Sequence, residues 1–261
     1  MDIRRNAERL FYPLAGVVLL VAIWHVSVVF WNIAEVILPS PARVYDSFMA
    51  RLPLLWREGI VTFKATFYGF LMALAIGLPM AVAVANSRVL NLMFYPLLVA
   101  LQSVPKIALA PVILVWFGTG IESKLAMVWL VAFFPIIIDS AAGLRSTPPE
   151  LIELARSLKA SRLQIFLKVQ FPAALPFVFT GAKVAITLAV IGAVIGEFIG
   201  SNAGLGYLLL TATSQLDTPL AFAALFALSF LGLGVYGLVV LVERLMAPLL
   251  PPGHGGAPGG H

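Results

Sequence analysis

The sequence predicts an all-α polytopic membrane protein with six transmembrane helices and one amphipathic loop inside the cell. Three observations predict it. Of 261 residues, 61% are hydrophobic and 11% charged, against about 25% charged in soluble domains. Mean hydropathy is +1.00. The apolar residues fall in runs long enough to cross a bilayer, which takes about 20 residues per helix, and a single long polar segment interrupts them. Residues 1–250 are therefore expected to form one transmembrane unit, with no room for a separate soluble domain.

Spans are expected at about 10–30, 59–86, 90–117, 123–144, 173–200 and 219–245. Arg4, Arg5 and Arg9 precede the first run and place the N-terminus in the cytoplasm. The run from Leu10 to Phe30 is too long for a signal peptide, and no small-residue cleavage site follows, so it is read as a retained helix. Counting on, the cytoplasm receives Arg88, Arg145, Arg156, Lys159, Arg162, Lys168 and, with the C-terminus, Arg244. The outside receives Arg43, Arg51, Arg57 and Lys124, interleaved with Glu35, Asp46, Glu58, Glu122 and Asp217. The bias agrees with an even number of spans.

In the external segment Leu38-Pro-Ser-Pro-Ala-Arg-Val44, Ser40 can cap a short helix that begins at Pro41. Val44, Phe48, Met49 and Leu52 fall on one face of it, as in a helix lying on the bilayer surface. The Gly/Pro-rich tail from Pro251 to His261 cannot build a core and is expected to be disordered.

Net charge is +5 and the pI about 9.7. Positive-inside sorting accounts for both. No basic run lies outside the proposed cytoplasmic loops, so nucleic-acid binding is not expected. The chain has no cysteine, hence no disulfide or thiol chemistry. His25, His254 and His261 are its only histidines, and two lie in the tail, so no metal site is expected. The spans hold no nucleophile–base pair that would make a membrane enzyme.

The polar segment runs from Pro148 to Pro172. Thr147-Pro-Pro-Glu150 fits a capping box. The helix it starts carries Leu151, Leu154, Ala155 and Leu158 on one face and Glu150, Glu153 and Arg156 on others. Ser161-x-x-Gln164 fits a second box. Leu163, Phe166, Leu167 and Phe171 then form an apolar face that Pro172 is expected to stop. The loop is thus two short helices joined by a bend at Lys159, Ala160 and Ser161. Such an element can dock a partner; it can equally be an amphipathic surface linker.

Within the spans, Gly192, Gly196 and Gly200 form a small-residue ridge that lets helices approach closely. It serves helix packing, or a pathway or subunit contact. The third span contains Pro96, Pro105 and Pro111; proline removes a backbone hydrogen bond and kinks a helix, and near mid-membrane this leaves carbonyls free, which is tolerated only against protein or water. Gln102 and Lys106 lie beside that break. Lys106 fits an anion pathway, or a snorkelling or ion-paired lysine. Asp139 and Glu197 are the membrane acids, with Glu197 close to the outer face, in gating or paired with a lysine. Lys64 and Lys183 are expected to snorkel. Asn202 and the Gly204/Gly206 turn shape the outer mouth.

One family pattern reads Glu-Ala-Ala, three residues, Gly, nine residues, Ile, one residue, Leu-Pro. Glu153, Leu154, Ala155, Lys159, Val169, Phe171 and Pro172 meet it with intact spacing. This resembles the EAA loop of permease subunits of bacterial ABC importers. Leu154, Val169 and Phe171 depart mildly from it, and Lys159 replaces the glycine. Gln102-Ser-Val-Pro-Lys-Ile-Ala-Leu-Ala-Pro111 with Trp116-Phe-Gly118, Gly196-Glu-Phe-Ile-Gly200 with Gly204-Leu-Gly-Tyr207, and Leu38-Pro-Ser-Pro41 resemble the nitrate/sulfonate/taurine group. The likeness covers about 38–245.

The resemblance implies a permease subunit in the bacterial inner membrane, pairing with a second copy and surrounded by lipid. Two cytoplasmic ATPase subunits, holding ATP and Mg, would bind the 146–172 loops. An external substrate-binding protein would deliver a small anion such as nitrate, a sulfonate or taurine; related members carry pyrimidine and other vitamin precursors. The implied coupling residues are Glu150, Glu153, Leu154, Ala155, Arg156, Leu158, Lys159, Ala160, Ser161 and Arg162. The implied pathway candidates are Gln102, Lys106, Asp139, Glu197 and Asn202. At the bend glycine would permit a positive φ; with Lys159 there, either φ is ordinary or the site is strained. No Gly-x-x-x-x-Gly-Lys-Ser/Thr phosphate loop occurs, so the chain is expected to bind no cofactor and to leave ATP hydrolysis to another subunit. The competing reading is a proton- or sodium-coupled carrier, whose expected inverted repeats and midplane charges are not evident.

Overall fold

A computed structural model describes residues 2–246, with side chains from Phe11 onward. The side chains of Arg4, Arg5 and Arg9 and the tail 251–261 lie outside the described residues. Among the described residues the chain is helical, without strands: α1 (Asp2–Phe30), α2 (Pro41–Ala50), α3 (Leu52–Asn86), α4 (Arg88–Gln102), α5 (Ala110–Phe117), α6 (Ile121–Arg145), α7 (Pro149–Ser157), α8 (Arg162–Ile165), α9 (Phe171–Gly200), α10 (Leu205–Ser214) and α11 (Thr218–Leu245). By length and composition five helices can cross a membrane, or six if one bent pair counts as a span.

The centre is α6, held between α3 and α9. Lipid tails are as apolar as leucine, so helices in a bilayer gain by packing closely rather than by escaping water. Small residues permit that approach. Ala65, Ala73, Ala132, Ala141, Ala185, Ala189 and Ala193 are fully buried along these seams. A Cβ added at Gly69 would lie 2.5 Å from Val128, and one at Gly192 would lie 3.0 Å from the Val128 Cα. At the periphery, α1 leaves most of its side chains exposed and touches α11 through Trp24, stacked on Phe222 and Phe226.

Ser40 caps α2 through the Arg43 amide, and Pro41 opens the helix. Val44 is buried and Phe48 meets Phe230 edge-on. The apolar face of α2 therefore covers α11 rather than only a bilayer surface. The second span begins at Leu52 instead of 59, which draws Arg57 and Glu58 into α3.

The third span is not one helix. α4 ends at Gln102, a 3-10 turn covers Lys106–Leu109, and the two halves meet at 90°. Pro105 lacks an amide hydrogen and bars helical geometry in the residue before it, so the chain turns there. Pro111 sits in the first turn of α5, where no amide bond is lost.

Pro172 does not stop the loop's second helix. Residues Phe166–Gln170 form a π-helical turn, closed by the Phe171 amide on the Phe166 carbonyl. The wider turn carries the chain past the proline, which then occupies the first turn of α9. Arg162–Gly200 is consequently one helical rod of 39 residues.

Candidate coupling loop and a buried polar network

The first helix of the polar loop is set at its start by Thr147, but not as a cap. Its buried hydroxyl donates back to the Leu144 carbonyl, 3.2 Å away, and closes α6. Pro148 takes the cap position of α7 without a side-chain bond. Proline at that position fixes φ near the required value, so the helix starts without the predicted box. Glu150 in the first turn and Arg156 in the last suit the helix dipole.

α7 turns its larger apolar residues outward. Leu151, Leu154 and Leu158 are 46%, 57% and 74% exposed, while Ile152 and Ala155 are half-buried. Glu150, Glu153, Arg156, Lys159, Ser161 and Arg162 are exposed and Ala160 half-buried. The helix ends in a Schellman motif: the Ala160 amide donates to the Ala155 carbonyl at 3.0 Å and the Lys159 amide to the Arg156 carbonyl at 2.9 Å. This motif needs a left-handed residue, and Lys159 supplies it at φ +58. The bend is therefore of the glycine kind with a lysine in it, at a cost of about 1–2 kcal/mol.

The second box forms as the spacing predicts. Ser161 accepts from the Gln164 amide at 3.3 Å, and the Gln164 side chain accepts from the Ser161 amide at 2.8 Å. Ile165, not singled out in the sequence, is the buried anchor; Leu163 and Leu167 face outward at 65% and 53% exposure. Phe166 and Phe171 are half-buried with rings 5.9 Å apart. A helix of four residues followed by a π turn has no 3.6-residue stripe, so periodicity misassigned its inner face.

At the opposite end of the bundle lies a buried polar network. Glu197 is fully buried on α9. The Thr62 hydroxyl on α3 donates to it at 2.9 Å, and the Gly206 amide donates at 2.8 Å. Thr62 also accepts from the Leu205 amide at 2.8 Å. Glu58, one turn before Thr62, accepts from the Gly204 amide at 2.7 Å and from the Arg57 guanidinium at 2.8 Å. Lys124 on α6 donates to the Ala203 carbonyl at 3.2 Å.

These bonds tie the 201–206 turn to α3, α6 and α9. Gly204 has φ +116, and a Cβ there would overlap the Glu197 carboxylate; a Cβ at Gly206 would lie 2.9 Å from the same group. The glycine pair thus brings one backbone amide onto each of two buried acids, Gly204 onto Glu58 and Gly206 onto Glu197. Glu58 and Lys124, expected among the charges on the outside, are each only 6% exposed. Buried charges need partners, and the turn's backbone supplies them. Thr62 escaped the sequence reading, although its spacing of four from Glu58 puts both on one helix face. Asn202 is exposed on the turn, with no side-chain hydrogen bond among the described residues.

At the break in the third span, the Lys106 amine lies 3.3 Å from the Gln102 carbonyl that the bend frees, and 5.1 Å from the centre of the Phe134 ring. The Gln102 side chain is exposed. Asp139 is half-buried beside Gly181, with no hydrogen bond or ion pair among the described residues. Lys106, Asp139 and Glu197 are not bonded to one another. Lys183 pairs with Glu243 on α11 at 2.5 Å. Gly192 and Gly196 pack on α6, at Val128 and Lys124, and Gly200 on Leu114 of α5, all within the chain.

Residues 73–248 match the family of binding-protein-dependent transport system inner membrane components. The chain belongs to this family. Among curated relatives, the permease is 39% identical to a riboflavin transport system permease of Chloroflexus aurantiacus, over 93% of this chain and 92% of that protein. It is 33% identical to a formylaminopyrimidine transport permease of Halalkalibacterium halodurans, over 90% and 94%. A putative aliphatic sulfonates transport permease of Bacillus subtilis is 31% identical over 86% and 82%. In fold the permease resembles a chain of the MetNI methionine ABC transporter in an inward-facing form, with a TM-score of 0.64 over 77% of this chain and 99% of that chain, at 22% identity. The permease is an all-helical inner-membrane transport subunit.

Proposed function

We propose that the permease forms the translocation pathway of an ATP-driven importer, as a pair of copies, with two separate cytoplasmic ATPase subunits and an external binding protein. The observation that carries this reading is the outward apolar face of α7. Leu151, Leu154 and Leu158 stand exposed at the tip of a polar loop, and the loop continues into the α9 rod. An ATPase seated on that face would move α9 as a lever. ATP binding would then favour one arrangement of the spans over another by differential contacts. The ATP and Mg would belong to the ATPase.

The N- and C-termini and the α7–α8 loop face the cytoplasm in this reading. The side-chain pairs at the two ends are consistent with it. Glu35 with Arg43, Arg51 with Asp217 and Arg57 with Glu58 gather at one end; Lys183 with Glu243 and Arg145 with Asn91 gather towards the other. Each pair joins residues that alternation of the spans puts on one side.

The solute is a small anion or organic acid, with Lys106 at the broken span offering a positive charge. A nitrogen heteroaromatic of the vitamin type is the second reading, favoured by the greater identity to the riboflavin and formylaminopyrimidine permeases.

The test is a tagged pull-down from native membranes with subunits counted by mass spectrometry. The expected result is an ATPase in equal amount, lost on Glu153→Lys together with ATP-driven uptake. Recovery of the chain alone, with gradient-driven flux in vesicles, would establish the ion-coupled carrier instead.

A further inference from the structure

Two residues beside the coupling bend break local rules in the same direction. Lys159 carries a side chain at φ +58, where a glycine would fit without strain. Arg162 occupies the first position of the Arg162–Gly200 rod, where the helix dipole disfavours a cation. Each choice is locally unfavourable, both are exposed, and both add positive charge. Arg156, also exposed, brings a third cation to the same turn. No acid lies between Arg156 and Arg162, and no ion pair engages these cations among the described residues. The left-handed cap needs no partner by itself, since exposed Leu216 shares it, but three like charges on one exposed turn point to a partner of opposite charge.

We propose that Lys159 and Arg162 form a cationic clamp that selects an ATPase subunit carrying an acidic patch beside its docking groove. This rests on the importer reading above and adds the chemistry of the partner. Glu150 and Glu153 stay exposed at the other end of α7. A surface positive at one end and negative at the other fits a protein groove of mixed charge. An anionic lipid surface would repel the acidic end.

The experiment uses the permease co-purified with its ATPase and held in bilayer discs of neutral phosphatidylcholine, with ATPase retention followed as salt is raised. Lys159→Gly removes the charge and relieves the backbone; Lys159→Arg keeps the charge; Arg162→Gln removes the second cation. Loss of one close charge pair should lower affinity roughly tenfold. The expected result is weaker retention and a flatter salt dependence for Lys159→Gly and Arg162→Gln, with Lys159→Arg like the parent. Retention of Lys159→Gly equal to or above the parent would overturn the clamp and leave the importer reading standing. An effect confined to discs of anionic phosphatidylserine would assign the cations to lipid and overturn it too. Absence of any ATPase from the parent would overturn the importer reading itself.

Discussion

The Thr62 hydroxyl donates to the Glu197 carboxylate at 2.9 Å, across 135 positions of sequence, and accepts the Leu205 amide at 2.8 Å. One side chain therefore joins α3, α9 and the start of α10. Thr62→Val keeps the shape and removes both bonds, leaving an amide and part of a carboxylate unsatisfied. The expected loss is about 3 kcal/mol, read as a lower melting temperature in detergent. A single thiol at Ala203→Cys, in a chain with no other cysteine, should label faster with maleimide in the Thr62→Val background. Unchanged melting and labelling would show that the turn is held elsewhere.

The glycines divide into those that meet backbone and those that meet nothing. At Gly192 an added Cβ reaches the Val128 Cα at 3.0 Å, whereas at Gly234 nothing lies within 4 Å. Gly192→Ala should destabilise by about 1–3 kcal/mol through overpacking. Gly234→Ala should stabilise α11 slightly, by up to about 1 kcal/mol. Thermal unfolding of the two variants side by side checks the contrast, and equal shifts would contradict the close α6–α9 seam.

The Lys183–Glu243 pair locks the α9 rod to α11. Lys183→Met and Glu243→Gln should each destabilise, and the double variant should lose less than the sum. A double-mutant cycle is expected to give a coupling of about 1–3 kcal/mol. Additive losses would mean that the two charges act independently.

α10 ends as α7 does. Leu216 stands at φ +58 and 66% exposed, in a second Schellman motif closed by the Asp217 amide on Ala212. Leu216→Gly should raise stability by about 1 kcal/mol, since little packing is lost and the left-handed strain is removed. A fall in melting temperature would show that the leucine packs against something.

Much of this was legible in the sequence because it depends on local chemistry. The apolar runs marked the spans, Ser40-Pro41 marked the start of α2, and Ser161 with Gln164 marked that of α8. The proline at 105 announced a break, though not its right angle, because the angle depends on what the two halves pack against. The stop expected at Pro172 failed for a related reason: a π turn absorbs a proline without ending the helix, and nothing in composition signals it. The burial of Glu58 and Lys124 was hidden because their partners include one backbone amide and one carbonyl of a turn distant in sequence. Gly204 and Gly206 were visible as a motif and Glu197 as a membrane acid, but the contact between them was not.

The central claim is that the outward face of α7 docks on an ATPase, and it can be tested directly at one atom. Leu154→Cys would carry the only thiol of the chain, on a side chain 57% exposed. The measurement is cross-linking of this variant in native membranes with a short thiol–amine reagent, followed by mass spectrometry of the product. The account predicts a one-to-one adduct with a nucleotide-binding subunit, formed in the presence of ATP-driven uptake and lost on Glu153→Lys. An adduct only with a second copy of the permease, or with no protein, would contradict it.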